Sequence, residues 1–213
     1  PGNLLAWSVP SGEWQVAVIE SSRGIAVLDA QGQVVDRSAL EMPAGAAISR
    51  LRTAHGADGQ RVLAAFAVTE RQVRILDSNW RPILQYPDAQ TPHPGIADVQ
   101  LADLDGDGQL EVLIGYLGPT GIHAVSLAGE RLWRSRSAVN VLGLAVGARL
   151  GAAERGLWCA GGGDLLSWLD RRGELGQSLP LGRSAATWVG VLPESADPCQ
   201  LVTLMQDEAL NST

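Results

Sequence analysis

Lysine is absent from this chain, and all 16 basic residues are arginines. That removes a Schiff-base lysine, a lysine general base and a phosphate-loop lysine from the possible chemistry. Histidine is scarce at three: His55 in a polar turn, His93 between prolines, and His123 inside an apolar run. None belongs to the spaced Cys/His pairs of a structural zinc site, and no Gly-x-Ser-x-Gly elbow presents a hydrolytic serine. His93, in a crossover, is the histidine best placed to meet a ligand. Cys159 and Cys199 are the only cysteines. Their staggered positions on neighbouring strands, roughly 10 Å apart in strand rise, exceed the ~7 Å Cα limit of a disulfide, so two isolated thiols are expected. No apolar stretch reaches the ~18 residues of a membrane-spanning helix, and no signal-peptide pattern opens the sequence. The net charge of −7 with scattered arginines argues against nucleic acid as a partner. Arg131, Arg134 and Arg136, and the pair Arg171-Arg172, come closest to clusters and read as solvated rims.

What the chain has is glycine, proline and apolar residues in a repeat. It carries 25 glycines and 11 prolines at 46% hydrophobic residues, a composition suited to short strands and many turns. Four apolar runs end in a similar turn: Leu28-Asp29 to Gly32, Leu76-Asp77 to Trp80, Val125-Ser126 to Gly129, and Leu169-Asp170 to Gly173. A short polar side chain opening such a turn accepts a backbone N–H, and a glycine three residues on accepts positive φ. Trp80 breaks the glycine rule, and Asn79 is expected to take the left-handed position there. The turns recur at a period in the mid-forties, and each closes a group of four short strands, the size of one propeller blade. The expected architecture is an all-β propeller over residues 1–213, with blades at 3–42, 46–86, 95–137 and 141–181 and a partial fifth at 187–213. About four and a half units point to part of a six- to eight-bladed ring; a closed four-bladed ring would leave the last strands without a blade. Trp188, Val189, Val191, Leu201, Val202 and Leu204 are then expected to be covered in the complete assembly. Trp14, Trp133, Trp158, Trp168 and Trp188 are expected to fill the wedges between blades; Trp7 and Trp80 border turns, where core or rim packing is expected and a surface contact is the alternative.

One segment concentrates chemistry. Asp103, Asp105, Asp107 and Glu111 occupy alternate positions around Gly106 and Gly108, and the carbonyl of Gln109 falls between the last two acids. Short carboxylates at positions one, three and five of a tight loop turn inward together, and an oxygen-only shell suits a hard cation. Without an ion the like charges repel. The competing readings are a solvated acidic turn and, less favoured, a catalytic carboxylate pair, for which the loop lacks a nucleophile or basic partner. An EF-hand requires a bidentate Glu where this chain has Ile114, and flanking helices where it has β-rich sequence.

The pattern resembles the calcium loop of the FG-GAP and VCBS propeller repeats, with Asp103, Asp105, Asp107 and Gly108 on the motif and Glu111 in place of its usual final Asp. The resemblance implies Ca2+ as the cofactor, held by Asp103, Asp105, Asp107, Gln109 and Glu111 in a structural role. It further implies a non-enzymatic binding or scaffold domain at the cell surface or outside the cell, with a protein or glycan ligand. The remaining blades would come from the same protein or another chain. The alternatives are a propeller domain of an enzyme, such as a polysaccharide lyase or a cofactor-dependent dehydrogenase, and the ligand-binding part of a sensor.

Overall fold

A computed structural model describes residues 4–9, 11–68, 70–88, 94–161, 163–182, 184–191 and 201–207. The first sheet contains β1 (Leu4–Ser8), β2 (Trp14–Ile19), β3 (Gly24–Leu28) and β4 (Val34–Ala39). The second contains β5 (Arg50–His55), β6 (Arg61–Phe66), β7 (Val73–Leu76) and β8 (Pro82–Tyr86). The third contains β9 (Ile96–Ala102), β10 (Glu111–Tyr116), β11 (Ile122–Ser126) and β12 (Arg131–Ser135). The fourth contains β13 (Val141–Ala148), β14 (Arg155–Gly161), β15 (Leu165–Leu169) and β16 (Leu175–Pro180). In each, the four strands pair in chain order, antiparallel throughout, and β17 (Ser184–Val191) pairs with β18 (Leu201–Asp207) alone. The only helical piece among the described residues is the 3-10 turn Gly118–Thr120.

The third-to-fourth-strand turns follow from their first residue. Asp29 Oδ1 accepts the N–H groups of Gln31 and Gln33 at 2.9 and 2.8 Å. Asp77 does the same for Asn79 and Arg81, Asp170 for Arg172 and Glu174, and the Ser126 hydroxyl oxygen accepts from Glu130. The pairing register slips just before each turn, the bulge that lets a short loop reverse a twisted hairpin. Gly32, Gly129 and Gly173 carry φ of 78°, 87° and 77°. In the second sheet Trp80 itself holds the left-handed position at φ 64°, and the expectation for Asn79 is corrected. The turn is otherwise the same, with Trp80 N–H bonded to Asp77 O at 3.0 Å. A left-handed non-glycine residue costs about 1–2 kcal/mol, and burying the indole against the first core layer offsets it.

Side chains alternate between the two faces of each sheet, so central strands feed two cores at once. On β6, Leu63 and Ala65 join the layer between sheets one and two, whereas Ala64 and Phe66 join the layer between sheets two and three. On β10, Val112, Ile114 and Tyr116 face the second layer and Leu113 faces the next. A fourth layer packs Trp158 and Trp168 against Ala186 and Val189 of β17. Asp98 on β9 ties three sheets together. It is fully buried, pairs with Arg52 of β5 at 2.8 Å, and accepts the Val99 N–H at 2.9 Å and the Leu144 N–H of β13 at 3.0 Å.

The tryptophans are distributed differently from the sequence expectation. Trp158 and Trp168 are core, Trp133 is half-buried, but Trp14 is 57% exposed at the start of β2 and Trp188 is exposed on β17. Trp7 and Trp80, which border turns, are buried as core packing requires, with the Arg61 guanidinium 4.0 Å from the Trp7 ring centroid and 5.9 Å from the Trp80 ring centroid. Flanking residues near a turn do not reveal which face a side chain occupies, and here both rings face the first core layer. On the last pair of strands Val189 is buried while Val202, Leu204 and Met205 are exposed. His93 and Cys199 lie outside the described residues; Cys159 is buried, and burial pushes its thiol up to about 12.

Candidate metal centre

The acidic loop connects β9 to β10, two strands buried along nearly their whole length. The pair Glu111↔Ala102 closes its base. Two leucines pin it from opposite sides: Leu104 packs into the layer toward the fourth sheet and Leu110 into the layer toward the second. Gly106 and Gly108, at φ 83° and 88°, supply the two left-handed positions that curl the chain between them.

The carboxylates are wired to the loop's own backbone. Asp103 Oδ1 accepts the Gly106 N–H at 2.7 Å and Oδ2 the Gly108 N–H at 3.0 Å. Asp105 accepts from Asp107 at 3.2 Å, Asp107 from Gln109 at 2.7 Å, and Glu111 Oε2 from Leu104 at 2.6 Å. One carboxylate oxygen each of Asp103, Asp105, Asp107 and Glu111 lies within 4.8 Å of the others. Oxygens this close to one another can share a metal ion. Gln109 sits exposed on the same curl.

Glu111 carries the electrostatic cost of this arrangement. Its residue is 5% exposed, and burial, followed by the charges of Asp105, Asp103 and Asp107, raises its carboxyl from 4.5 to about 7 against the lowering effect of the Leu104 N–H. A dication at the centre of the cluster would reverse that balance. Arg171 and Arg172, expected on a solvated rim, line a polar cleft of about 360 Å3 with Asp105, Gly106 and Asp107. The corresponding loop of the second sheet keeps a single acid, Asp58, which accepts the Gln60 N–H at 2.9 Å. Among the described residues this is the one group of His, Cys, Asp or Glu side chains arranged to hold a metal. His123 is core: its Nδ1 lies 3.2 Å from the Tyr86 hydroxyl and its ring meets Tyr116 edge-on. His55 ends β5 at the surface.

No protein-family model matches the chain, and no curated protein matches it. Solved structures do. The BBS1N chain crystallised in complex with ARL6DN and soaked with mercury superimposes with a TM-score of 0.72 at 11% identity, covering 94% of this chain and 60% of that one. Its lead-soaked counterpart gives 0.70 at 12%, covering 94% and 61%. The fold is a β-propeller. A protein of unknown function from Bacteroides caccae gives 0.54 at 12%, covering 91% and 69%. The chain thus spans about three fifths of the BBS1N chains it matches, and at such identities the shared property is the architecture. Each four-stranded sheet is one blade, and the acidic loop joins the first two strands of the third. No helix among the described residues is long and apolar enough to cross a membrane.

Proposed function

We propose that this chain is part of a calcium-stabilised, non-enzymatic propeller that binds another protein. The observation that carries the reading is the convergence of four carboxylates, one of them buried, in a loop pinned between two core layers. An ion held there braces adjoining strands. The backbone bonds occupy both oxygens of Asp103 and one oxygen each of Asp105, Asp107 and Glu111, so the loop is pre-shaped and calcium completes its charge balance. The Gln109 carbonyl adds a neutral fifth ligand in this reading, as the resemblance to FG-GAP and VCBS loops implies. The resemblance to FG-GAP and VCBS loops favours an extracellular or cell-surface location. A rigid ring presenting loops at its ends serves recognition, and BBS1N, the matched propeller, was solved bound to a protein. The exposed Val202, Leu204 and Met205 of the two-stranded β17–β18 unit favour further strands covering them, from the same protein or another chain, in a larger ring.

Calorimetric titration with calcium and with magnesium, paired with thermal melting, tests this. Saturable heat and a raised melting temperature with calcium, and little of either with magnesium, are expected. Absence of calcium binding would remove the brace; calcium-dependent turnover of a substrate with no change in melting would turn the reading to an enzyme.

A further inference from the structure

The third residue before each hairpin turn is buried in all four blades: Ala26, Arg74, His123 and Ser167. At the junction of blades two and three this position is met from the preceding blade, where Tyr86, paired with Val73 at the end of β8, brings its hydroxyl 3.2 Å from His123 Nδ1. At the junction of blades one and two the matching residue of β4 is Ser38, paired with Ile25, too short to play the tyrosine's part. Here the buried residue is Arg74, 5% exposed, with Nη1 lacking any hydrogen-bond partner. None of the ion pairs among the described residues reaches it. Glu70, whose charge it feels, directs its own carboxylate to the Ala47 N–H at 3.3 Å. A buried guanidinium with an open donor costs free energy that a carboxylate would recover through charge-assisted bonds.

That arginine lines a cavity of about 210 Å3 with Leu40, Leu76, Trp80, Ile83 and, at its edge, Glu41. We propose that this inter-blade pocket receives an acidic side chain of a partner polypeptide, the carboxylate on Arg74 and a neighbouring apolar side chain against Trp80 and Ile83. Charge complementarity fixes the carboxylate. Size favours a side chain over a free ligand, since small-molecule sites begin at roughly 300 Å3. Ile83, 46% exposed, extends the apolar contact beyond the pocket, where a peptide covers it and a small acid does not. Trp80 walls the pocket because it takes the turn position that glycine holds in the other three blades. Glu41, exposed beside the cavity, opposes a second negative charge. The proposal specifies the contact for the protein-binding role given above and rests on that role.

Fluorescence anisotropy on the full chain in calcium tests it, using a labelled short peptide with a leucine–glutamate–leucine core, the same peptide with glutamine, and acetate as competitor. The glutamate peptide is expected to bind about tenfold or more tighter than the glutamine one, the scale of a charge-assisted hydrogen bond. Arg74→Met, which keeps the length and removes the unpartnered charge, should erase that difference. Ile83→Asp should weaken the glutamate peptide, and Glu41→Gln should strengthen it. Equal binding of the two peptides, or a preference that survives Arg74→Met, overturns the proposal. So does acetate competing as well as the unlabelled peptide, which would assign the pocket to a free acid. If the peptides fail while a protein partner of the full chain binds wild type and Arg74→Met alike, the pocket is wrong and the protein-binding role stands. If no protein partner binds, the role itself falls.

Discussion

Replacing Glu111 by Gln should stabilise the metal-free protein and abolish its response to calcium, two effects of opposite sign from one atom change. The carboxyl is raised from 4.5 to about 7 in the folded state. Between those values the folded protein holds a proton that the unfolded chain has released, so stability is full below about pH 4.5 and falls as pH climbs through 7. The complete loss corresponds to about 3 kcal/mol. Glutamine keeps an acceptor for the Leu104 N–H but carries no charge, and the shift of Glu111 already includes what that bond gives the carboxylate. A gain of about 3 kcal/mol is therefore expected at about pH 8 in EDTA, shrinking toward nothing near pH 5, where wild type is protonated. With calcium at a hundred times its dissociation constant, wild type gains about 2.7 kcal/mol, or roughly 5–10 °C in melting temperature for a domain of this size. The variant, short of its buried ligand, gains little. Denaturation followed by circular dichroism at several pH values, with EDTA and with calcium, supplies all the numbers. Metal-free wild type with flat or rising stability from about pH 5 to 8, or a variant less stable than wild type in EDTA at about pH 8, would refute the reasoning.

Asp105→Asn should weaken calcium binding by about tenfold or more, as the loss of one unscreened charge interaction, and in EDTA should lower the Glu111 carboxyl, which NMR titration reads directly. Asp98→Ala should cost about 3–5 kcal/mol by leaving Arg52 unpaired and two buried N–H groups unsatisfied, seen as a melting point lower by roughly 6–20 °C. Gly173→Ala should cost more than Gly32→Ala although both glycines have nearly the same positive φ. A Cβ at Gly173 would stand 2.5 Å from Trp133 Cε3, whereas one at Gly32 meets nothing within 4 Å. The difference between their chemical denaturation midpoints isolates that contact, on the order of 1–2 kcal/mol.

The turns were legible because they are local. A carboxylate at Asp29, Asp77 or Asp170 can reach only its own backbone two and four residues on, so the residue type nearly determines the geometry. The acidic loop was legible for the same reason: its alternation sets which way Asp103, Asp105 and Asp107 point, and Leu104 and Leu110 act as anchors wherever two cores flank the strands. Long-range choices were not legible. Trp7 and Trp14 both stand near strand ends, and only the register Ser8↔Trp14, together with the layer that each face meets, separates a core ring from an exposed one. Asp98 sits in an apolar run that looks like any central strand, with its partners 46 residues away on either side. The proximity of Arg171 and Arg172 to the acidic loop likewise depends on how blade four lies against blade three, which no motif records.

The same division explains where the propeller holds its individuality. Turn acid, bulge and apolar alternation repeat from blade to blade and specify the frame, whereas the third residue before the turn is free to change, because it points into a junction whose other wall is a different blade. Alanine, arginine, histidine and serine occupy it in turn, and at two of the junctions the preceding outer strand answers differently. Tyr86 meets His123 and closes one seam. Ser38 leaves Arg74 unmet, and a seam that the repeat would ordinarily seal becomes a cavity with a single unsatisfied charge. Chemistry in a repeat fold thus concentrates where two copies differ at once on facing walls, as at Arg74 and Ser38, or where one copy carries acids that its neighbours lack, as in the loop from Asp103 to Glu111.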